Sequence, residues 1–399
     1  MTTPAQSAIP ERDFGVYIHV PFCAVRCGYC DFNTYAPGEV DGATPAGYVE
    51  AALHEIELAR SRMDFAADRT VQTVFFGGGT PTMLDPAALA ALLTGVRDAW
   101  ALADDAEVTT EANPDSVTEE SLAALAQAGF TRVSFGMQSA VPHVLATLER
   151  THTPHNVTRA LAWARDAGLA TSVDLIYGTP GESVDDWRRS VDAALELEPD
   201  HLSAYALVIE PGTRMGAHLR RGTIAPTDPD IQAVMYELAD DAFSAAGYQW
   251  YEVSNWARSP QQRCRHNLAY WSSQDWWGIG PGAHSYWGPH VDRNGQQVAA
   301  RRWWNVKHPL AYSRRLADGH SPEDAGEDLD NETVAFERVM LGLRVVEGLP
   351  REAVGADKTE AIAALIADGL LDGPQALRGR LVLTRRGRLL ADAAVRALT

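Results

Sequence analysis

Three of the four cysteines in this 399-residue chain fall within eight residues: Cys23, Cys27 and Cys30, in His19-Val20-Pro21-Phe22-Cys23-Ala24-Val25-Arg26-Cys27-Gly28-Tyr29-Cys30-Asp31-Phe32. Cys264 stands alone. A tight triplet in a large chain points to metal or redox chemistry rather than to a disulfide framework. Gaps of three and two residues let one loop curl around a compact cluster, and thiolates are the protein ligands that iron–sulfur clusters prefer. Three thiolates satisfy three irons of a four-iron four-sulfur cubane and leave the fourth iron for a small molecule. A zinc site would want four nitrogen or sulfur ligands. His19 could complete such a site, and Cys264 could serve as a distant fourth ligand, so both alternatives stay open at this point.

Other polar residues fall where strands are expected to end. Gly77-Gly78-Gly79-Thr80-Pro81 permits close backbone approach to a ligand. Glu111 ends Thr110-Glu111-Ala112-Asn113-Pro114, and Gln138 sits in Phe135-Gly136-Met137-Gln138-Ser139. Arg150 follows a helix. Singly, each reads as a capping or solvated residue. Asp174 differs, because it interrupts the apolar run Val173-Asp174-Leu175-Ile176. An unpaired buried carboxylate is costly, so Asp174 is expected to face an interior cavity with a partner.

The elements that position these residues alternate. Strands are predicted at Val16 to Val20, Val71 to Phe76, Ala106 to Thr110, Arg132 to Phe135, Thr171 to Ile176 and His201 to Leu207, from β-branched and aromatic content. Helices are predicted at Tyr48 to Arg62, Ala87 to Ala99, Thr118 to Ala128, Pro154 to Ala167, Ser183 to Leu195 and Asp230 to Ala246, from apolar spacing and cap residues. Six such units predict an α/β fold, a partial (β/α)6 barrel with its site at the C-terminal strand ends; an open doubly wound sheet is the alternative. From Tyr48 onward the rhythm holds to about residue 247. Then eight of the eleven tryptophans fall within 55 residues, Trp250 to Trp304. Pro322 to Asp330 is acidic and reads as a linker. The tail suggests a small helical or winged-helix-like unit. The expected divisions are therefore 1–247, 248–325 and 326–399.

Lys and Arg number 34 against 53 Asp and Glu, a net charge of −19. Such a chain is poorly suited to nonspecific nucleic-acid or anionic-membrane binding, and no nucleic-acid partner is expected. The local basic cluster Arg378, Arg380, Arg385, Arg386 and Arg388 is the exception. No apolar run reaches membrane-span length, and the N-terminal ten residues lack the pattern of a secretory signal. A cytoplasmic location is expected.

The C-x3-C-x2-C loop after the first strand, with an aromatic residue before the last cysteine, resembles the radical S-adenosylmethionine (SAM) superfamily. The resemblance implies a four-iron four-sulfur cluster on Cys23, Cys27 and Cys30, with SAM on the open iron. It implies further that Gly78, Gly79 and Thr80 lie at the SAM amino group, and that Tyr17, Glu111, Gln138, Arg150 and Asp174 contact SAM. These positions resemble the branch around oxygen-independent coproporphyrinogen III oxidase. Two departures, Phe32 where the oxidases carry another cysteine and only 22 residues before Cys23, resemble the HemW-type haem chaperones instead.

Arg265-His266-Asn267-Leu268-Ala269-Tyr270-Trp271 resembles the H-N-x-x-Y-W motif of that group. His266 offers an imidazole as an axial haem ligand, and Tyr270 and Trp271 can stack on a macrocycle. Cys264 and His284 are further ligand candidates, and the glycine-rich run Gly278 to Ser285 is expected to be flexible. The implied function is a chaperone that binds haem as cargo and delivers it to a haem-requiring protein, a membrane respiratory enzyme. Homodimerisation is also implied. The other reading is oxidative decarboxylation of coproporphyrinogen III, and a third is radical chemistry on an unrelated substrate. No catalytic residue is assigned.

Overall fold

Six strands pair in parallel, each with the next in chain order: β1 (Phe14–Val20), β2 (Thr70–Gly78), β3 (Ala101–Ala112), β4 (Arg132–Gln138), β5 (Ala170–Tyr177) and β6 (His201–Ala206). The structure is a computed structural model and describes residues 12–62, 69–291 and 296–399. The N-terminal stretch read above as lacking a secretory signal lies outside them. The helices Pro45–Arg62, Pro86–Ala99, Glu119–Ala128, Pro154–Asp166 and Val184–Glu196 connect the strands, and Pro229–Ala245 follows the sixth. An unbroken order of neighbours, with no reversal, is that of a barrel wound in one direction and not of a doubly wound sheet.

Strand residues alternate between two environments, as the period of two requires. Val16, Ile18, Val74, Phe76, Val133, Phe135, Val173 and Leu175 are fully buried in the apolar core that includes the helices. Their neighbours Tyr17, Phe75, Thr109, Glu111, Ser134, Ser172 and Asp174 line a cavity instead. Local signals set the helix ends. Thr118 and Ser121 form a reciprocal capping box, and Gly129 stops that helix at φ +104°. Ser183 and Asp186 cap the fifth connecting helix in the same way. The short helix Pro142–Thr147 was not anticipated, because six residues are too few to show a period.

Beyond residue 248 the same sheet continues on both sides. On one side β8 (Asn255–Ala257) runs antiparallel to β6 and pairs with β7 (Gln249–Glu252). On the other, β9 (Asp275–Ile279) joins β1 in parallel, followed antiparallel by β10 (His284–Trp287), β13 (Ala300–Asn305) and β14 (Glu323–Leu329). A small ribbon, β11 (His290–Val291) with β12 (Gln297–Val298), projects between β10 and β13. The main sheet has twelve strands. The acidic stretch read as a linker is thus an edge strand. Its charges are matched across the ladder: Arg301 pairs with Glu323 and Asp328 at 2.9 and 3.0 Å, and Arg302 with Glu327. Composition hid this, because the pairing partners are about twenty-five residues away. Several of the clustered tryptophans pack within this extension, with Trp277 edge-on to Trp303 at 4.9 Å and Trp276 stacked on Tyr286 at 5.0 Å.

The C-terminal segment has its own apolar cluster, built on Leu343, Leu371, Leu381, Val395 and their neighbours. Short helices surround a two-residue ribbon, β15 (Leu349–Pro350) with β16 (Arg380–Leu381). It meets the barrel where Arg388 lies 3.7 Å over the Trp250 ring and 3.2 Å from Asp240, and where Arg385 pairs with Asp241. Part of the basic cluster is therefore spent on contacts within the chain. No helix among the described residues is long and apolar enough to cross a membrane.

Candidate cofactor site

The cysteine loop leaves β1 and is fixed at its base by backbone bonds. Cys23 N donates to Tyr35 O at 3.1 Å and Tyr35 N to Pro21 O at 2.8 Å. The glycine-rich turn after β2 docks against it, with Gly79 N on Val20 O at 2.8 Å and Thr80 N on Phe22 O at 2.7 Å. That approach demands glycine: a Cβ on Gly79 would stand 2.5 Å from Phe22 O, and Gly78 adopts φ +105°. All three thiols are free, half-buried and turned to one cavity of about 640 Å³. Each has a polar neighbour: Thr80 Oγ1 at 3.8 Å from Cys23, an Arg150 guanidinium nitrogen at 3.8 Å from Cys27, and Thr34 Oγ1 at 3.9 Å from Cys30. Burial pushes the Cys23 thiol up to about 11, so a metal centre has to draw off its proton. Three thiols from one loop, each beside a donor, fit a sulfur-ligated cluster.

The two candidate fourth ligands are engaged elsewhere. His19 uses both ring nitrogens, one with Asn33 O at 2.9 Å and one with the Tyr17 hydroxyl at 3.1 Å. Cys264 is buried against Glu107 at 3.5 Å. Glu107 precedes Glu111 by four residues on β3, which puts Cys264 roughly 13 Å down the strand from that level. The fourth cluster position is thereby left to a small molecule.

Tyr17, Gly78, Gly79, Thr80, Glu111, Gln138, Arg150 and Asp174 all line the cavity that the cysteines face. Glu111 accepts a bond from Gly78 N at 3.1 Å, and burial, with Asp174 nearby, raises its carboxyl to about 8. Asp174 does face the interior with a partner: Ser134 Oγ lies 3.0 and 2.9 Å from its two oxygens. Burial raises the Asp174 carboxyl as well. Gln138 is held at φ +63° where β4 slips register against β5. Arg150 donates to Gly136 O at 2.8 Å, yet its buried Nε has no hydrogen-bond partner, and neither has Thr109 Oγ1 in the same wall. Buried donors left unpaired are what a polar ligand such as SAM would satisfy. Sequence reasoning missed Thr109, Arg132, Ser134, His201 and Ser203 in this wall, although strict alternation along the predicted strands marks them.

The helix Arg265–Trp271 forms the floor of the cavity rather than its mouth. Glu107 accepts from Arg265 N at 3.0 Å and His266 N at 3.1 Å. The His266 ring stacks on Phe75 at 5.1 Å, with its nitrogens 2.8 Å from Thr73 Oγ1 and 2.8 Å from the Tyr270 hydroxyl. Burial lowers its pKa to about 3. The imidazole is neutral and doubly bonded, so ligation of iron would require breaking its bond to Thr73 or to Tyr270. Tyr270 lines the cavity and meets Trp276 edge-on at 4.6 Å. His284 is exposed and stacks on Trp304 at 5.6 Å, outside the cavity wall.

The glycine run from 278 to 285 is not a loose loop. Buried Glu55 accepts from Gly280 N at 2.8 Å, Asn305 at 2.7 Å and the Tyr312 hydroxyl at 2.5 Å. Asn33, at the end of the cysteine loop, donates to Pro281 O at 2.9 Å and Lys307 O at 2.8 Å. Glycine is there for close packing: a Cβ on Gly280 would lie 2.4 Å from His19 O.

A polar pocket at the strand ends of a six-stranded parallel barrel, bordered by three thiols on the first loop, is the architecture of radical SAM proteins, and residues 17–194 match the model of the Radical SAM superfamily. The fold superposes on coproporphyrinogen III oxidase (HemN) from Escherichia coli, a radical SAM enzyme, with a TM-score of 0.79. That match covers 98% of this chain and 91% of the other at 23% identity. In sequence the chain is 51% identical over 397 residues to "Heme chaperone HemW" of Mycobacterium tuberculosis (strain ATCC 25618 / H37Rv), spanning 99% of this chain and 97% of that one. It is 37% identical over 338 residues to the protein of the same name from Escherichia coli (strain K12), 84% of each. The chain belongs to the HemW haem chaperone family of radical SAM proteins.

Proposed function

We propose that this protein binds haem and delivers it to haem-requiring proteins, and that it carries a four-iron four-sulfur cluster and SAM in the barrel. The observation that carries this reading is 51% identity to a haem chaperone over nearly the full length of both chains. Cys23, Cys27 and Cys30 would hold the cluster, with Thr80, Thr34 and Arg150 donating toward the sulfurs. When bound and reduced, such a cluster supplies one electron to SAM. Gly78, Gly79 and Thr80 would receive the amino group, and Glu111 the ribose hydroxyls through charge-assisted bonds. Asp174, positioned by Ser134, with Gln138, Arg150 and Tyr17, would complete the wall. His266 and Tyr270 would support that wall from the floor.

Residues 1–247 would hold the cofactors, the segment from 248 through β14 would floor and brace them, and the C-terminal unit would begin after β14. The acceptor would be a membrane respiratory enzyme served from the cytoplasm, and the protein would work as a homodimer. Decarboxylation of coproporphyrinogen III is supported only by a likeness of fold, and Phe32 replaces the extra cysteine of the oxidases. The test is anaerobic reconstitution, haem titration read by absorbance, and transfer from the loaded protein to an acceptor lacking haem. Saturable binding with transfer supports the chaperone. Vinyl product from coproporphyrinogen over many turnovers would replace it with the enzyme.

A further inference from the structure

Haem needs a broad apolar face to lie against, a cation for its propionates, and access. The floor helix gives little access: His266 lines the bottom of the cavity but is 1% exposed, with both ring nitrogens held in hydrogen bonds. The mouth gives all three. Five of the twelve exposed large apolar side chains among the described residues line the open cavity: Val25, Phe32, Met83, Tyr205 and Val208. They come from three separate places in the chain: the loop after β1 (Val25, Phe32), the turn after β2 (Met83), and the end of β6 with the residues just beyond it (Tyr205, Val208). Such a rim is not packing left over from one loop. Phe32 is 61% and Val208 66% exposed, an unfavourable arrangement unless a ligand covers them. Arg26, next to Val25 on the cysteine loop and half-buried, forms no ion pair among the described residues. A guanidinium there matches a carboxylate on the edge of a flat apolar ligand.

Resting on the haem-chaperone reading, we propose that haem docks across the cavity mouth, on the rim of Val25, Phe32, Met83, Tyr205 and Val208, with Arg26 facing a propionate. The H-N-x-x-Y-W helix then acts as a floor, and haem lies above SAM instead of beside His266. Haem, in place of a protein segment, is the occupant because the apolar side chains border a recessed cavity of about 640 Å³ and the chain is 51% identical to a haem chaperone. One loop carries both Phe32 and the three cysteines, so the state of the cluster is coupled to the seat of the cargo.

The experiment titrates haem into the full chain with reconstituted cluster. It compares wild type, Phe32→Glu, Val208→Glu and, as control, Val234→Glu, an exposed position on the helix Pro229–Ala245 that does not line the cavity. Iron content and SAM binding by equilibrium dialysis report whether each variant keeps its fold. Each rim variant should weaken haem binding about tenfold or more, while the control matches wild type and all four keep iron and SAM. Rim variants that bind haem like wild type overturn the rim site and leave the chaperone reading standing. Rim variants that keep haem affinity but lose dimerisation or transfer assign the rim to a protein partner and equally overturn it. A wild type that binds no more haem than an unrelated protein overturns the chaperone reading itself.

Discussion

Arg150 holds one backbone carbonyl of β4 and the Cys27 sulfur at the same time, and keeps a further donor unspent. Its fork geometry is what allows this, so Arg150→Lys should keep the charge and lose the arrangement. The expected result is a five- to fifty-fold weaker SAM affinity, roughly 1–2 kcal/mol, with cluster content retained, measured by dialysis and iron analysis. Cys23→Ala, Cys27→Ala or Cys30→Ala should each abolish four-iron content; iron assay with absorbance checks this, and a variant that kept four irons would refute the ligand set. At this scale the sequence was informative where chemistry is costly. Asp174 inside an apolar run announced a buried partner, and Ser134 is that partner. His266 was less legible, because a histidine beside aromatics reads equally well as ligand or as core. Only the long-range contacts with Thr73 and Glu107 decide that it sits in the floor.

Two carboxylates show how elements are fastened. Glu107 accepts two backbone N–H groups at the start of the floor helix, and the helix is only seven residues long. Glu107→Ala leaves those donors buried and unpaired, so stability should fall by about 2–3 kcal/mol in chemical denaturation. Glu55 joins the glycine run, β13 and the helix Pro309–Ala317. Burial raises its carboxyl from 4.5 to about 7, against the pull of three donors. Between those values the folded chain keeps a proton that the unfolded chain has released. Its contribution is therefore full below the unfolded value, falls as pH rises toward about 7, and is flat above. The slope amounts to an upper bound on the order of 3 kcal/mol, and Glu55→Gln should remove it; denaturation of both proteins from about pH 5 to about pH 8 measures the difference. Strand and helix identity was readable from local periodicity and caps. The acidic edge strand and the braced glycine run were not, because what fixes them lies in β13 and in Glu55, far along the chain.

At the scale of the whole molecule, the C-terminal unit is latched to the barrel partly through Arg388, which covers Trp250 and reaches Asp240. Arg388→Ala should loosen that unit by about 1–3 kcal/mol, seen as faster hydrogen exchange across residues 359–398 with iron and SAM content unchanged. The sheet that the latch leans on is assembled out of order. Strand β1 lies between β2 and β9, and the cysteine loop that follows it is tied by Asn33 to carbonyls 248 and 274 residues later. On a ribosome adding roughly 5–20 residues per second, the thiols emerge on the order of tens of seconds before their anchor exists. The loop is among the first parts made and among the last to be finished. A chain terminated before Lys307 would therefore carry all three cysteines on a loop that lacks one of its ties.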